Sequence, residues 1–294
     1  MSNPTLRNLL ARPGMLVAPG AYDALGARMI EQAGFEAVYM TGGGTSVSRG
    51  FPDFGLLDFS EMVTNAATLA RTVRVPVIAD ADTGYGNELN VMRTVREYEL
   101  RGVAALHIED QVSPKRCGHL DGKEVVPQEQ FVSKIRAAVE ARRSTDFLII
   151  ARTDARGVQG FDAAVARANA ALAVGADIAF VEALQTMEEV AAVPRLVRGP
   201  CMLNVVAGGR TPVSDLREVE AMGYKLTILP GLLLTAAIEA GDAALAQLKA
   251  TMKAPHCDTP IGQLFRRFGA DEWDAVRERF NAGKAATVAA GRLK

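Results

Sequence analysis

The chain has 294 residues, 49% of them hydrophobic, enough to bury one large core or two modest ones. Its 33 Lys and Arg nearly balance its 34 Asp and Glu for a formal net charge of −1, which provides no electrostatic footprint for nucleic acid or an anionic membrane. Cys117, Cys201 and Cys257 are an odd number of thiols in a large chain, and that argues against a disulfide framework.

No uncharged apolar run approaches the roughly 18 residues needed to span a bilayer. The longest candidate, around Ile228–Ile238, contains Pro230 and Gly231 and stops at Glu239. The opening segment M-S-N-P-T-L-R-N-L-L-A-R-P-G has no apolar h-region between its arginines, so it reads as a cytosolic start and a cytoplasmic protein is expected.

Short apolar runs alternate with helical patterns along the whole chain. The predicted strands are Leu16–Ala18, Ala37–Met40, Val75–Ala79, Ala105–Ile108, Phe147–Ala151, Ile178–Val181, Cys201–Asn204 and Lys225–Leu229. The 3.6-residue spacing predicts helices near Tyr22–Gln32, Ser60–Thr72, Asn87–Arg101, Pro127–Arg142, Asp162–Val174, Met187–Val193, Pro212–Met222 and Leu232–Ala250. Gly34, Gly102, Gly175 and Gly223 stand where helices should stop and turn back into strands. Eight βα units are the count of a (β/α)8 TIM barrel over residues 1–250. The competing dinucleotide-binding sheet lacks its G-x-G-x-x-G fingerprint, Gly42-Gly43-Gly44 being merely glycine-rich, and no P-loop is present.

Residues 251–294 do not fit the repeat. Lys253–Phe268, with Pro255 and Pro260, reads as loop, and Asp271–Ala290 as a helix with Trp273, Val276 and Phe280 on one face. Such a helix either covers its own barrel or packs on a neighbouring subunit by a swap.

The chemistry of a barrel gathers at the carboxyl ends of its strands. Val73–Ala79 is a buried-strand pattern that runs directly into Asp80-Ala81-Asp82. Two carboxylates one residue apart, unless they are solvated loop aspartates, call for a cation. Oxygen-only donors with room for waters describe Mg²⁺ better than zinc. The other strand ends carry Tyr39, Thr41, Gly42 and Gly43; His107, Glu109 and Asp110; Arg152 and Asp154; Glu182; and Asn204. Asp80, Asp82 and Glu109, with Asp53 from the loop after the second strand, form a candidate cation cage. Arg152 can hold a carboxylate through its fork, and the amides of Gly42 and Gly43 can approach an oxyanion closely. Barrel-rim ion pairs are the alternative for any one of these residues.

After the fourth strand comes Lys115-Arg116-Cys117-Gly118-His119. A thiol between two cations and an imidazole is expected to be exposed with a lowered pKa, serving as nucleophile or acid–base group. The ligand count is too low for zinc. Flanking glycines suggest a loop that closes over substrate and excludes water. Cys201, among apolar neighbours, reads as buried and structural, and Cys257 more as structural than chemical.

Together, K-R-C-G-H at 115–119, D-A-D-T-G-Y-G at 80–86, L-H-I-E-D-Q at 106–111, A-R-T-D-A at 151–155 and T-G-G-G at 41–44 resemble the isocitrate lyase/phosphoenolpyruvate mutase superfamily, over about Pro19 to Pro230. The cysteine pentapeptide is the mark of its carbon–carbon lyase members. The resemblance implies a barrel whose last helix is swapped between subunits in a homotetramer, a dimer of dimers. It implies Mg²⁺, with Mn²⁺ able to replace it, on Asp82 directly and on Asp53, Asp80 and Glu109 largely through waters. Thr41, Gly42, Gly43 and Arg152 would bind the α-keto-acid end of a small carboxylate substrate, with Tyr39, His107, Gly118, Glu182 and Asn204 around it. Cys117 would be the general acid, supported by His119, Lys115 and Arg116.

The implied reaction is retro-aldol cleavage of a 2-hydroxy acid into an α-keto acid and a carboxylate. Methylisocitrate lyases carry N-x-T-E after the seventh strand, whereas this chain has Asn204-Val205-Val206-Ala207 followed by G-G-R-T-P. The latter resembles the 2,3-dimethylmalate lyase branch and points to a 2-alkylmalate without a third carboxylate. Methylisocitrate cleavage, oxaloacetate hydrolysis or decarboxylation, a carboxyvinyl-carboxyphosphonate phosphorylmutase-type reaction and a non-catalytic binding protein are the alternatives.

Overall fold

The computed structural model describes residues 4–213, 215–256 and 258–291; the expectation for Cys257 lies outside them. Two compact units emerge, Met1–Ile238 and Glu239–Lys294.

The first unit is a closed barrel of eight parallel strands in sequential order: β1 (Leu16–Ala21), β2 (Val38–Met40), β3 (Val77–Asp80), β4 (Ala105–Glu109), β5 (Leu148–Thr153), β6 (Ile178–Val181), β7 (Cys201–Asn204) and β8 (Leu226–Leu229). The fold and the strand positions expected from the apolar runs are thus observed, with β1 and β5 running further toward the rim. The helices are α1 (Leu6–Leu10), α2 (Ala24–Gln32), α3 (Gly42–Ser48), α4 (Phe59–Thr72), α5 (Glu88–Leu100), α6 (Gln128–Ala141), α7 (Phe161–Ala173), α8 (Met187–Leu196), α9 (Leu216–Met222), α10 (Leu232–Thr251), α11 (Ile261–Arg267) and α12 (Ala270–Gly291).

Alternation within each strand explains the continuous apolar runs. Ile78, Leu148, Ile150, Ile178, Phe180, Met202, Leu226 and Ile228 fill the barrel interior, joined by Leu6 from α1. Their neighbours Val77, Ala79, Ile149 and Ala151 face the helices on one side of the ring, and Ala179, Val181, Cys201 and Leu203 on the other. A strand buried on both faces has no polar position to display. Helix starts follow their caps: the Asp23 carboxylate accepts from the Gly26 amide at 2.7 Å, and Asp58 and Glu61 form a reciprocal capping box on α4. The helix-ending glycines at 34, 102, 175 and 223 all have positive φ.

Two local features stand out against the sequence reading. The glycine-rich stretch opens a helix not included among those read from the sequence, Gly42–Ser48, which the Thr41 hydroxyl caps by accepting from the Gly44 amide. Ile261–Arg267 is helical within the stretch read as loop, entered through Pro260 at its N-cap.

Parallel register sets the site. Asp80 on β3 stands beside His107 on β4, and Glu109 beside Arg152 on β5. Chemically unlike residues are brought together because each is the last or nearly the last residue of its strand.

In the second unit lie the end of α10, α11 and α12. Leu245, Leu248, Ile261, Phe265, Trp273 and Phe280 are exposed, and α10 has no buried residue.

Where β1 runs beside the chain leaving β8, there is no room for a side chain at Gly20. A Cβ on Gly20 would lie 2.4–2.7 Å from the main chain of Pro230, which cannot step aside as a flexible side chain would. Gly20→Ala is expected to lower unfolding free energy by about 1–3 kcal/mol, the usual cost of overpacking, as measured by urea denaturation followed by circular dichroism.

Candidate active site

Asp80 is fixed by backbone donors. Its Oδ1 accepts from the Asp82 amide at 2.9 Å and its Oδ2 from the Gly42 amide at 3.2 Å. A Cβ on residue 42 would fall 2.3 Å from that Oδ2, so only glycine lets the first turn of α3 reach the carboxylate. The Gly42 amide, one of the pair assigned to an oxyanion, is therefore already engaged by Asp80. Asp82 follows with φ 46°, a left-handed conformation that aspartate tolerates better than most residues.

Lys115 Nζ lies 2.5 Å from Asp53 and 3.0 Å from Asp82. Glu109 has neither carboxylate oxygen in a hydrogen bond, although Arg152 Nε is 3.1 Å away. Burial pushes Asp82 up to about 6, with Asp80 and Asp53 adding to it and Lys115 opposing. Burial also raises Glu109 well above the usual carboxylate range. A carboxylate that resists ionisation at a buried site lacks a compensating cation. Among the described residues no three acidic, thiol or imidazole groups converge as a finished metal site; the lysine bridges Asp53 and Asp82 instead. The Glu109 carboxylate, with neither oxygen hydrogen-bonded, and the all-oxygen donor set nevertheless fit a hard divalent cation such as Mg²⁺.

Arg152, buried at the end of β5, donates to both oxygens of Asp154 at 2.9 and 3.2 Å, and lies 3.6 Å from Glu182. Its guanidinium also sits over the Phe180 ring at 5.2 Å. The Tyr39 hydroxyl and His107 Nε2 share a hydrogen bond of 2.8 Å, and burial pushes His107 down to about 4, so its ring is neutral. Asp110 points elsewhere: it accepts from the Thr153 hydroxyl and the Asp154 amide and pairs with Arg167, a structural role.

The loop after β4 is tied at its base by Gln111 pairing with Val125 and by the Gln111 side chain bonding the Arg116 amide and carbonyl at 3.0 and 2.8 Å. Gly118 lets it rest on the floor, since a Cβ there would meet Glu182 at 2.4 Å and Arg152 at 2.7 Å. Cys117 is half-buried above. The expected drop in its pKa is not found. Lys115 turns down to the aspartates, and Arg116 turns out over Phe54, 5.0 Å from its centroid, outside the site. Burial raises the thiol, the His119 amide opposes, and Asp53 raises it further. His119 faces Glu182 at 3.3 Å. Cys201 is buried, as expected, with its thiol on the Gly199 carbonyl at 3.4 Å.

These parts enclose a cavity of about 230 Å³. Of the residues singled out in the sequence, Tyr39, Thr41, Gly43, Asp53, Asp80, Cys117, Gly118, His119, Arg152, Glu182 and Asn204 line it. Gly42, Asp82, His107, Glu109 and Lys115 are not on its wall and touch it through these neighbours. Val47, Val206, Pro230, Gly231 and Leu234 also line it and were not foreseen, because nothing separates a wall-forming valine from a core one in sequence. β3 to β6 and the loop after β4 thus supply acids, Arg152 and the thiol, whereas α3 and the segments after β7 and β8 supply apolar surface.

The family model described as phosphoenolpyruvate phosphomutase matches residues 6–249. The 2,3-dimethylmalate lyase of Eubacterium barkeri is 49% identical over 260 residues, covering 88% of both chains. A structure of oxaloacetate acetylhydrolase with the inhibitor 3,3-difluorooxalacetate superimposes with TM-score 0.90 at 38% identity, over 96% of this chain and 97% of that one. A phosphonopyruvate hydrolase complex with oxalate and Mg²⁺ gives TM-score 0.86 at 30% identity, over 95% and 99%.

Because burial raises the Cys117 thiol, its iodoacetamide alkylation, followed by peptide mass spectrometry, is expected to rise with pH through a midpoint above the ordinary thiol value of about 8.5. A midpoint below that value contradicts the burial argument.

Proposed function

This chain belongs to the phosphoenolpyruvate mutase/isocitrate lyase superfamily and is a carbon–carbon lyase, and from that premise we propose that it cleaves a 2-alkylmalate-type hydroxy acid into an α-keto acid and a carboxylate. The observation that carries this substrate is the cavity wall. Among its described lining residues Arg152 is the one guanidinium or ammonium group, while Val47, Val206 and Leu234 offer apolar surface. A tricarboxylate would leave a charge facing valine and leucine, and that is costly. An alkyl substituent gains from the same contact.

In this reading Arg152 and the Gly43 amide hold the carboxylate of the future keto acid, and the Thr41 hydroxyl assists. Asp82, with Asp80, Asp53 and Glu109, holds Mg²⁺, whose chemistry there is Lewis-acid polarisation of the developing carbonyl. The 2-hydroxyl passes its proton to solvent, its oxygen becomes the keto oxygen as the C2–C3 bond breaks, and the electron pair of that bond passes to C3. Cys117, protonated because burial holds its proton, delivers it to C3. His119 and Glu182 position the loop that carries the thiol, and Lys115 holds Asp53 and Asp82 in place. Mn²⁺ has the same ligand preferences.

A panel of substituted malates, methylisocitrate and oxaloacetate, read out as keto-acid formation with Mg²⁺, tests the substrate. Alkylmalates should turn over fastest, EDTA should abolish turnover, and Cys117→Ser should lose at least ~10²-fold in kcat. Preference for the tricarboxylate rejects the apolar-wall reading, and full activity in the serine variant rejects Cys117 as acid. The alkaline limb of kcat should lie above pH ~8.5, since a raised thiol pKa keeps the acid form populated until pH passes it.

We also propose a homotetramer in which the C-terminal helices pack on a neighbouring subunit. Trp273 and Phe280 are each 74% exposed, and together with the apolar residues of α10 and α11 they form the kind of surface that marks an interface. Trp273→Asp with Phe280→Asp should reduce the mass measured by light scattering below that of four chains, and an unchanged tetramer would count against the swap.

A further inference from the structure

The turn after β7 reaches two places at once. Its hydrogen bond from the Gly209 amide to the Val206 carbonyl is 2.9 Å, and Gly208 has φ 72°. This tight turn sets Val206 on the cavity wall and delivers Arg210 to the loop that carries Cys117. There the Arg210 amide donates to His119 Nδ1 at 3.0 Å, and its guanidinium donates to the His119 carbonyl at 3.0 Å and to Asp121 at 2.5 Å. Close approach depends on Gly209, where a Cβ would lie 2.8 Å from His119 Nδ1. From within the loop, Lys123 Nζ donates to the Gly118 and Leu120 carbonyls at 2.5 and 2.7 Å.

We propose that Arg210 is a positioning residue that holds the Cys117 loop closed and fixes the proton of His119. A backbone N–H can donate only to a nitrogen with a free lone pair, so Nδ1 accepts and the ring proton sits on Nε2. Nε2 faces Glu182 Oε1 at 3.3 Å, where the proton makes a charge-assisted bond to the carboxylate that also faces Arg152. The imidazole thereby fastens the loop to the floor, one residue beyond Gly118. The Asp121 end of the clamp is 94% exposed, and an exposed pair contributes little. The bonds to His119 carry the clamp. One turn therefore both forms part of the substrate wall and holds the thiol's loop.

The clamp rests on the lyase reading only for what Cys117 does once it is held, so its test needs no substrate. In the full-length protein, alkylation of Cys117 by iodoacetamide should accelerate roughly tenfold in Arg210→Ala, the scale of a lost charge-assisted hydrogen bond. Arg210→Lys, which cannot fork to both the His119 carbonyl and Asp121, should fall between the two. ¹⁵N spectra of histidine-labelled protein should show His119 as the single Nε2–H tautomer in the wild type; Arg210→Ala keeps the main-chain amide and so the tautomer, whereas Gly209→Ala, whose Cβ would lie 2.8 Å from His119 Nδ1, should give an averaged signal. Circular dichroism confirms that the variants are folded, with the lysine variant serving should alanine unfold the chain. Alkylation of folded Arg210→Ala within twofold of wild type, or a wild-type His119 that is not the single Nε2–H tautomer, overturns the proposal. A failure of the substrate panel leaves both readouts intact and bears on the lyase reading alone.

Discussion

Excess buried negative charge at one end of the barrel governs the rest of the site. Register sets Asp80 and Glu109 at the ends of β3 and β4, Asp82 follows β3, Asp53 comes from the loop before α4, and Lys115 pairs with only two of the four. Arg152 is divided among Glu109, Asp154 and Glu182. Buried carboxylates without full compensation take up protons or a cation, and Asp82 and Glu109 are both pushed toward the proton. Removing either carboxylate would relieve that strain, yet both sit at the rim where a barrel builds its chemistry. In the proposed reading that excess is what holds Mg²⁺, and it does not act as a stabilising feature.

The same electrostatics shape the loop over the floor. Lys115 belongs by sequence to the cysteine segment and by contact to the aspartates, so it ties the loop to the carboxylate end of the site. Gly118 brings the next residues down onto Arg152 and Glu182, and the turn after β7 secures them from the other side. Loop position thus depends on three anchors of different chemistry: an ammonium among carboxylates, a close glycine contact and an imidazole held at both nitrogens. Each would be weak alone, and together they bring a half-buried thiol against a cavity lined with opposite polarities on two arcs.

Much of the architecture was legible in the chain. Parallel strands buried on both faces announce themselves as unbroken apolar runs, and the residues that end them, Asp80, Glu109, Arg152, Glu182 and Asn204, are polar where the run stops. That logic reads which residues reach the rim. It does not read direction. Three glycines in a row gave no sign of a helix, but a threonine cap and contact with Asp80 made α3. Arg116 and Lys115 flank the thiol in sequence, and each side chain leaves it for a distant partner. Arg210 and Lys123 were invisible as a pair, because a contact between the loops after β4 and β7 arises only once the barrel has closed.

The thiol's surroundings decide between the two roles a reactive cysteine can take. A nucleophile needs its thiolate, stabilised by adjacent cations. Here the neighbouring cations are engaged elsewhere, burial raises the proton affinity, and Asp53 adds to it. An acid that must retain its proton until a carbanion forms beside it gains from that environment, provided that water is kept out and the group is close. In the proposed reading, the arrangement that looked in sequence like activation of a nucleophile is, once folded, the storage of a proton, because burial and Asp53 outweigh the His119 amide and Arg152, which favour its release.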